Sequence, residues 1–133
     1  MFTRKFCHKL LNNKNTIRHL AHQRPLKLEN TAKIEALKEI KEQGWKEVDV
    51  RGNDGIQKQY IFENFNEAFA FMSHSALVAN QLDHHPEWFN VYNKVDVTLT
   101  THDCSGLSRL DISMAKKMDE FSRFHEANLV FHP

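Results

Sequence analysis

Acidic residues are missing from the start of this chain, and cysteine is nearly missing from all of it. None of the 17 Asp and Glu precedes Glu29, whereas seven of the 18 Lys and Arg do: Arg4, Lys5, Lys9, Lys14, Arg18, Arg24 and Lys27. The remainder is net acidic and lacks the clustered Lys and Arg that nucleic-acid binding requires, which argues against direct contact with DNA or RNA. Two cysteines, Cys7 and Cys104, make no disulfide framework and suit a reducing compartment. No apolar run approaches the roughly 20 residues that span a bilayer, so a soluble protein without a membrane partner is expected. Internal repeats and low-complexity linkers are also missing. The length, 133 residues, fits one domain.

What is present begins with residues 1–28, a basic N-terminal extension. Phe2, Phe6, Leu10, Ile17 and Leu20 are able to line one helical face with Arg and Lys elsewhere, as in a mitochondrial transit peptide, although serine is scarce. The same stretch also reads as a disordered basic tail without targeting value. Either way the folded domain is placed at 29–133.

Within that domain a helix is expected from about Thr31 to Gln43, capped by Asn30 or Thr31, striped by Ile34, Leu37 and Ile40, and stopped by Gly44. Strands are expected at Trp45–Val50 and Ile56–Phe62, joined through the turn-rich Gly52-Asn53-Asp54-Gly55. A second helix follows Asn64, with Phe65, Ala68, Phe69, Met72, Ala76 and Ala79 read as its core-facing stripe. Trp88–Thr101 forms two more strands, the second alternating Val95, Val97 and Leu99 with polar residues. A last helix starts near Ser108, where Ser108-Arg109-Leu110-Asp111 has the form of a capping box with Asp in place of Glu. Leu110, Met114, Met118 and Phe121 supply its buried face. The order α-β-β-α-β-β-α predicts an α+β fold, a four-stranded antiparallel sheet covered by three helices.

The informative stretch is Asp83-His84-His85-Pro86-Glu87-Trp88. With Asn93-Lys94 as a hairpin turn, Tyr92 pairs with Val95, Trp88 with Leu99 and Glu87 with Thr100. That register sets His85 opposite His102, at the Cβ separation of about 4.5–5.5 Å found between directly paired residues. Pro86 cannot donate to a ladder, so the chain is able to turn there and let His84 flank the same pocket. Asp103-Cys104-Ser105-Gly106 then loops back to Asp111, in the first turn of the last helix. Three imidazoles and a carboxylate are expected to converge, and imidazole titrates near neutral pH, as general acid–base catalysis needs. Singly, each has a plainer reading: turn surface for His84 and His85, a polar strand end for His102, a helix cap for Asp111. A zinc site is disfavoured, because only Cys104 lies near His102 and adjacent histidines rarely bind one ion together.

These residues carry a resemblance. The block His84–Asp111, with His-His-Pro, Trp88, Tyr92-Asn93-Lys94, Thr101-His102 and Asp111, closely resembles the pterin-4a-carbinolamine dehydratases, also known as a dimerization cofactor of a hepatocyte nuclear homeodomain factor. The likeness extends back through GWKEV and FNEAFAFM and covers roughly Thr31–Phe121. It implies a lyase that removes the 4a-hydroxyl of a hydroxytetrahydrobiopterin as water, giving quinonoid dihydrobiopterin in tetrahydrobiopterin recycling, without metal or cofactor. It further implies acid–base or orienting roles for His84, His85 and His102, support from Asp111, and a pterin pocket lined also by Pro86, Trp88, Thr101, Asp103 and Cys104. One departure is Asn80, four residues before His84, where the family usually has a longer polar or charged residue. The resemblance implies homodimers or homotetramers in cytoplasm and nucleus, with the tail leaving mitochondrial import open. It also implies, as an alternative function, a coactivator that binds a homeodomain transcription factor, with the Leu110–Phe121 helix as the candidate surface, although that face reads first as ordinary core or self-assembly.

Overall fold

The computed structural model describes residues 24–127, with side chains to Phe124. Most of the basic extension expected at 1–28 therefore lies outside the described residues. The element order is α1 (Asn30–Glu42), β1 (Lys46–Val50), β2 (Asn53–Ile61), α2 (Phe65–Leu82), β3 (Glu87–Val91), β4 (Lys94–Leu99), a 3-10 turn (His102–Cys104) and α3 (Arg109–Ala127). The four strands form one antiparallel sheet in the order β1-β2-β4-β3. This is the α+β architecture expected from the sequence. Tyr60 and Ile56 on β2, and Val95, Val97 and Leu99 on β4, are buried together with Leu37 and Ile40 of α1, Phe71 of α2, and Met114 and Met118 of α3.

Two apolar stripes differ from expectation. In α1 the buried residues are Ala36, Leu37 and Ile40, while Ile34 is exposed. At about 100° per residue, Ile34 falls roughly a third of a turn from the centre of that arc. In α2 the buried line is Ala68, Phe71, Ser75 and Ala79. Phe65, Phe69 and Ala76, expected in the core, are exposed (Phe69 by 54%). The apolar arc of α2 is wider than the face that packs, and Phe65 stacks on Phe69 along its outer flank at 5.7 Å. Asn64 caps this helix by accepting from the Glu67 backbone N–H at 3.0 Å.

Both hairpin turns are two residues long, and both sit elsewhere than expected. Val50 pairs with Asn53, so the first turn is Arg51-Gly52, and Asn53-Asp54-Gly55 belong to β2. Arg51 and Gly52 both take left-handed φ (54° and 82°), the combination that suits strand twist in a tight hairpin. The Asp49 carboxylate accepts from Gly52 N–H at 3.0 Å. In the second hairpin Val91 pairs with Lys94 and Glu87 with Thr98, so the turn is Tyr92-Asn93. Tyr92 takes φ 53°. The Asn90 amide donates to Tyr92 O (3.1 Å) and Lys94 O (2.8 Å), and Asn93 donates to Phe62 O (2.8 Å), which together hold that turn. The register is thus displaced by two residues, which keeps every side chain on its expected face.

Gly55 shows how closely the sheet packs beside the first hairpin. A Cβ there would lie 2.4 Å from Val50 Cγ2 and 3.2 Å from the Leu99 carbonyl oxygen. Gly55→Ala is therefore expected to lower unfolding free energy by about 1–3 kcal/mol, read as a lower urea midpoint with an unchanged slope.

Candidate active site

The first hairpin's turn, the start of β3 and the end of β4 meet at one end of the sheet, and the chemistry-bearing residues gather there in two groups. The first is buried and centred on Asp111, which is 0% exposed. Its Oδ2 accepts from Ser108 backbone N–H (2.8 Å) and from the Thr101 hydroxyl (2.7 Å), while Oδ1 lies 2.7 Å from His84 Nε2. Ser108 Oγ in turn accepts from Leu110 N–H at 3.2 Å. The cap expected at Ser108–Asp111 is thus formed, with Ser108 Oγ taking Leu110 N–H in place of the Asp111 N–H of a regular capping box, and the same carboxylate also holds a histidine. With Thr101 donating to Asp111, the Ser108 hydroxyl donates to Thr101 Oγ1 at 2.7 Å. The two donors on Oδ2 are thus fixed, one by the backbone and one by a second side chain.

His84 reaches Asp111 because the chain reverses at the end of α2. Asp83 takes a left-handed φ of 48°, and His84 N–H returns to Ala79 O at 3.0 Å. His84 is consequently buried, and its neighbour His85 is exposed. Neither belongs to β3, which starts after Pro86. With Nε2–H donated to a carboxylate, the neutral His84 ring keeps its lone pair on Nδ1.

The second group is exposed. His102 opens the 3-10 turn rather than pairing across the hairpin, and its Nε2 lies 3.5 Å from Glu87 Oε1 and 3.4 Å from a terminal nitrogen of Arg51. Arg51 holds Glu87 through both terminal nitrogens, one bond being 3.3 Å and the other shorter. The Glu87 carboxyl is held below its ordinary range, chiefly by that guanidinium. The expected pairing of His85 with His102 is therefore corrected: the two-residue shift removes it, and Glu87 stands beside His102 instead.

The remaining expected residues are placed as follows. Trp88 is half-buried against the core, and Pro86, two residues before it, is half-buried too. Asp103 is exposed, as is Asn80. Cys104 lies against the carbonyls of Thr101, Gly106 and Leu107, and burial raises its thiol pKa. The Thr101–Gly106 bridge closes this loop, and Lys27 runs along it, its Cε 2.8 Å from where a Gly106 Cβ would sit. On the last helix the expected buried face is found, with Met114 and Met118 fully buried, whereas Phe65, Phe69 and Leu77 of α2 are exposed. Arg51 and Glu87 were not among the expected site residues. The signal for Arg51 was a residue followed by Gly between two strands, which marks a tight hairpin tip.

The chain is thus a helix-covered antiparallel sheet that carries a buried His–Asp pair and an exposed histidine. Residues 27–121 match the family model of pterin 4 alpha carbinolamine dehydratase, and the chain belongs to that family. Proteins of Jannaschia sp. (strain CCS1) and Sinorhizobium fredii (strain NBRC 101917 / NGR234), provisionally named pterin-4-alpha-carbinolamine dehydratases, are 47% and 54% identical over 97 and 99 residues. These matches cover 73% of this chain in each case, and 97% and 89% of the relatives. The crystal structure of a transcriptional coactivator/pterin dehydratase from Brucella melitensis is 47% identical. It superposes with a TM-score of 0.65 over 72% of this chain and 98% of its own.

Proposed function

We propose that this chain dehydrates a 4a-hydroxytetrahydropterin by histidine acid–base catalysis. The C4a–O bond breaks as the departing hydroxyl takes a proton from one imidazole. A second imidazole accepts the N5 proton, the C4a=N5 bond forms, and the products are quinonoid dihydropterin and water. The supply of substrate falls to a pterin-dependent hydroxylation, which leaves the 4a-hydroxyl behind, and the product passes to a reductase.

The observation that carries this reading is that two unlike histidines are joined through Thr101. His84 is buried and held through Nε2 by Asp111; His102 is exposed between an anion and a cation. Thr101 links them, because its hydroxyl binds Asp111 and its carbonyl leads into His102. His85, Pro86, Trp88, Asp103 and Cys104 occupy the segments on either side and are assigned to the pterin surface.

The test is dehydration of freshly generated 4a-hydroxytetrahydropterin, followed by its ultraviolet change, for wild type beside His102→Ala. Wild type is expected to outrun the spontaneous reaction. His102 is exposed and water is able to take part of its place, so the variant should fall at the lower end of acid–base effects, about 10²-fold. A folded wild type that gives no acceleration would remove the enzymatic reading.

A further inference from the structure

His102 Nε2 has two partners of opposite character at nearly equal distance: a guanidinium nitrogen of Arg51 at 3.4 Å and a carboxylate oxygen of Glu87 at 3.5 Å. A guanidinium only donates and a carboxylate only accepts. One nitrogen cannot satisfy both at once. When Nε2 is unprotonated it accepts from Arg51, and when protonated it donates to Glu87.

We propose that Arg51 and Glu87 act as positioning residues that hold the His102 ring in one orientation through both of its protonation states. The assignment rests on the acid–base reading of the site and adds two residues to it. The Arg51–Glu87 fork is bidentate, so the two charges are fixed relative to each other before the histidine changes state. Their carriers are firm, Arg51 at the tip of a two-residue hairpin and Glu87 as the first residue of β3 opposite Thr98. An ion pair this exposed adds little to stability, which leaves its arrangement around Nε2 as the feature to explain.

The other charged groups of these segments are otherwise placed. Asp49 is taken by Gly52 N–H at 3.0 Å and Asp54 by Lys33 at 2.8 Å. Asp103 follows His102 in its own turn, and exposed His85 precedes Glu87 by two residues; both stay in place in the variants below.

The experiment follows His102 by proton–nitrogen NMR across pH in the full chain, for wild type, Glu87→Gln, Arg51→Met and the double variant. Glu87→Gln removes the acceptor for the imidazolium, so its titration midpoint should move to lower pH. Arg51→Met removes the donor to the neutral ring and a nearby positive charge, so the midpoint should move to higher pH, and the neutral ring should lose its preference for a proton on Nδ1. The double variant should fall between the two. Each single variant should lower kcat/KM by about tenfold, the worth of one such hydrogen bond, with one limb of the pH–rate profile moving in the same sense as the midpoint. Midpoints that do not move, or move together, would overturn the proposal. The titrations need no substrate, so a failure of the dehydratase reading would appear separately, as a wild type without activity.

Discussion

Asp111→Asn is expected to leave the protein folded and to remove about 10²–10⁴-fold of the dehydration rate, the range of an acid–base contribution. The asymmetry follows from which oxygen does what. The Oδ2 position is fixed by two donors, Ser108 N–H and the Thr101 hydroxyl, so the Asn carbonyl oxygen must sit there. The amide NH₂ is then forced onto the Oδ1 position, 2.7 Å from His84 Nε2. Two donors cannot face each other in a buried site, so His84 must move its proton to Nδ1 and accept at Nε2. The ring keeps its place while its free nitrogen changes from acceptor to donor. Stability should drop by only about 1–2 kcal/mol, the difference between charge-assisted and neutral hydrogen bonds. Asp111→Ala, by contrast, takes the common acceptor from three donors at once and should cost about 3–5 kcal/mol. Nitrogen chemical shifts of His84 report the tautomer, urea unfolding the stability, and the ultraviolet assay the rate. An inverted tautomer with a rate within a few-fold of wild type would remove His84 from the mechanism.

That prediction rests on contacts that local sequence signals carried well. The capping box fixed Asp111 at the head of α3 regardless of how the hairpin paired; the turn expected at Pro86 falls three residues earlier, at Asp83. The hairpin register was harder, because Tyr92 has no intrinsic preference for a left-handed φ and is held there by the Asn90 amide, a contact visible only after folding. The error of two residues kept the faces and changed the partners. His102 therefore came to the right end of the sheet, but beside Glu87 and Arg51 rather than His85. Phe65 and Phe69 mark a different limit. Periodicity finds an apolar arc, and it does not say how much of that arc this chain covers by itself. The Met114 and Met118 stripe shows the converse: the same signal on α3 belongs to the core.

The other large effect lies two helical turns beyond Asp111, where a second buried aspartate serves the fold. Asp119 Oδ2 accepts from Trp45 Nε1–H at 3.0 Å, and Oδ1 accepts from the Tyr60 hydroxyl at 2.7 Å and from Lys58 Nζ at 2.6 Å. One carboxylate thus ties α3 to β2 and to Trp45, the residue just before β1. Burial, and next the Asp119 charge, push the Tyr60 hydroxyl far above the ordinary phenol range, so it remains a donor throughout the working pH range. Lys58 also lies 4.7 Å over the Tyr60 ring, which adds a cation–π contact on the same side. Asp119→Ala leaves a nearly buried ammonium, a hydroxyl and an indole N–H without their common acceptor. The expected loss is about 3–5 kcal/mol, a large share of the roughly 5–15 kcal/mol that holds a domain together. Lys58→Met should cost less, because Trp45 and Tyr60 still satisfy the carboxylate that remains. Neither variant alters an atom bonded to His84 or His102, so the dehydration rate per folded molecule should hold at low temperature while the urea midpoint falls. An Asp119→Ala variant within about 1 kcal/mol of wild type would mean that water replaces the carboxylate, and that the helix is held to the sheet by Met114, Met118 and their apolar neighbours alone.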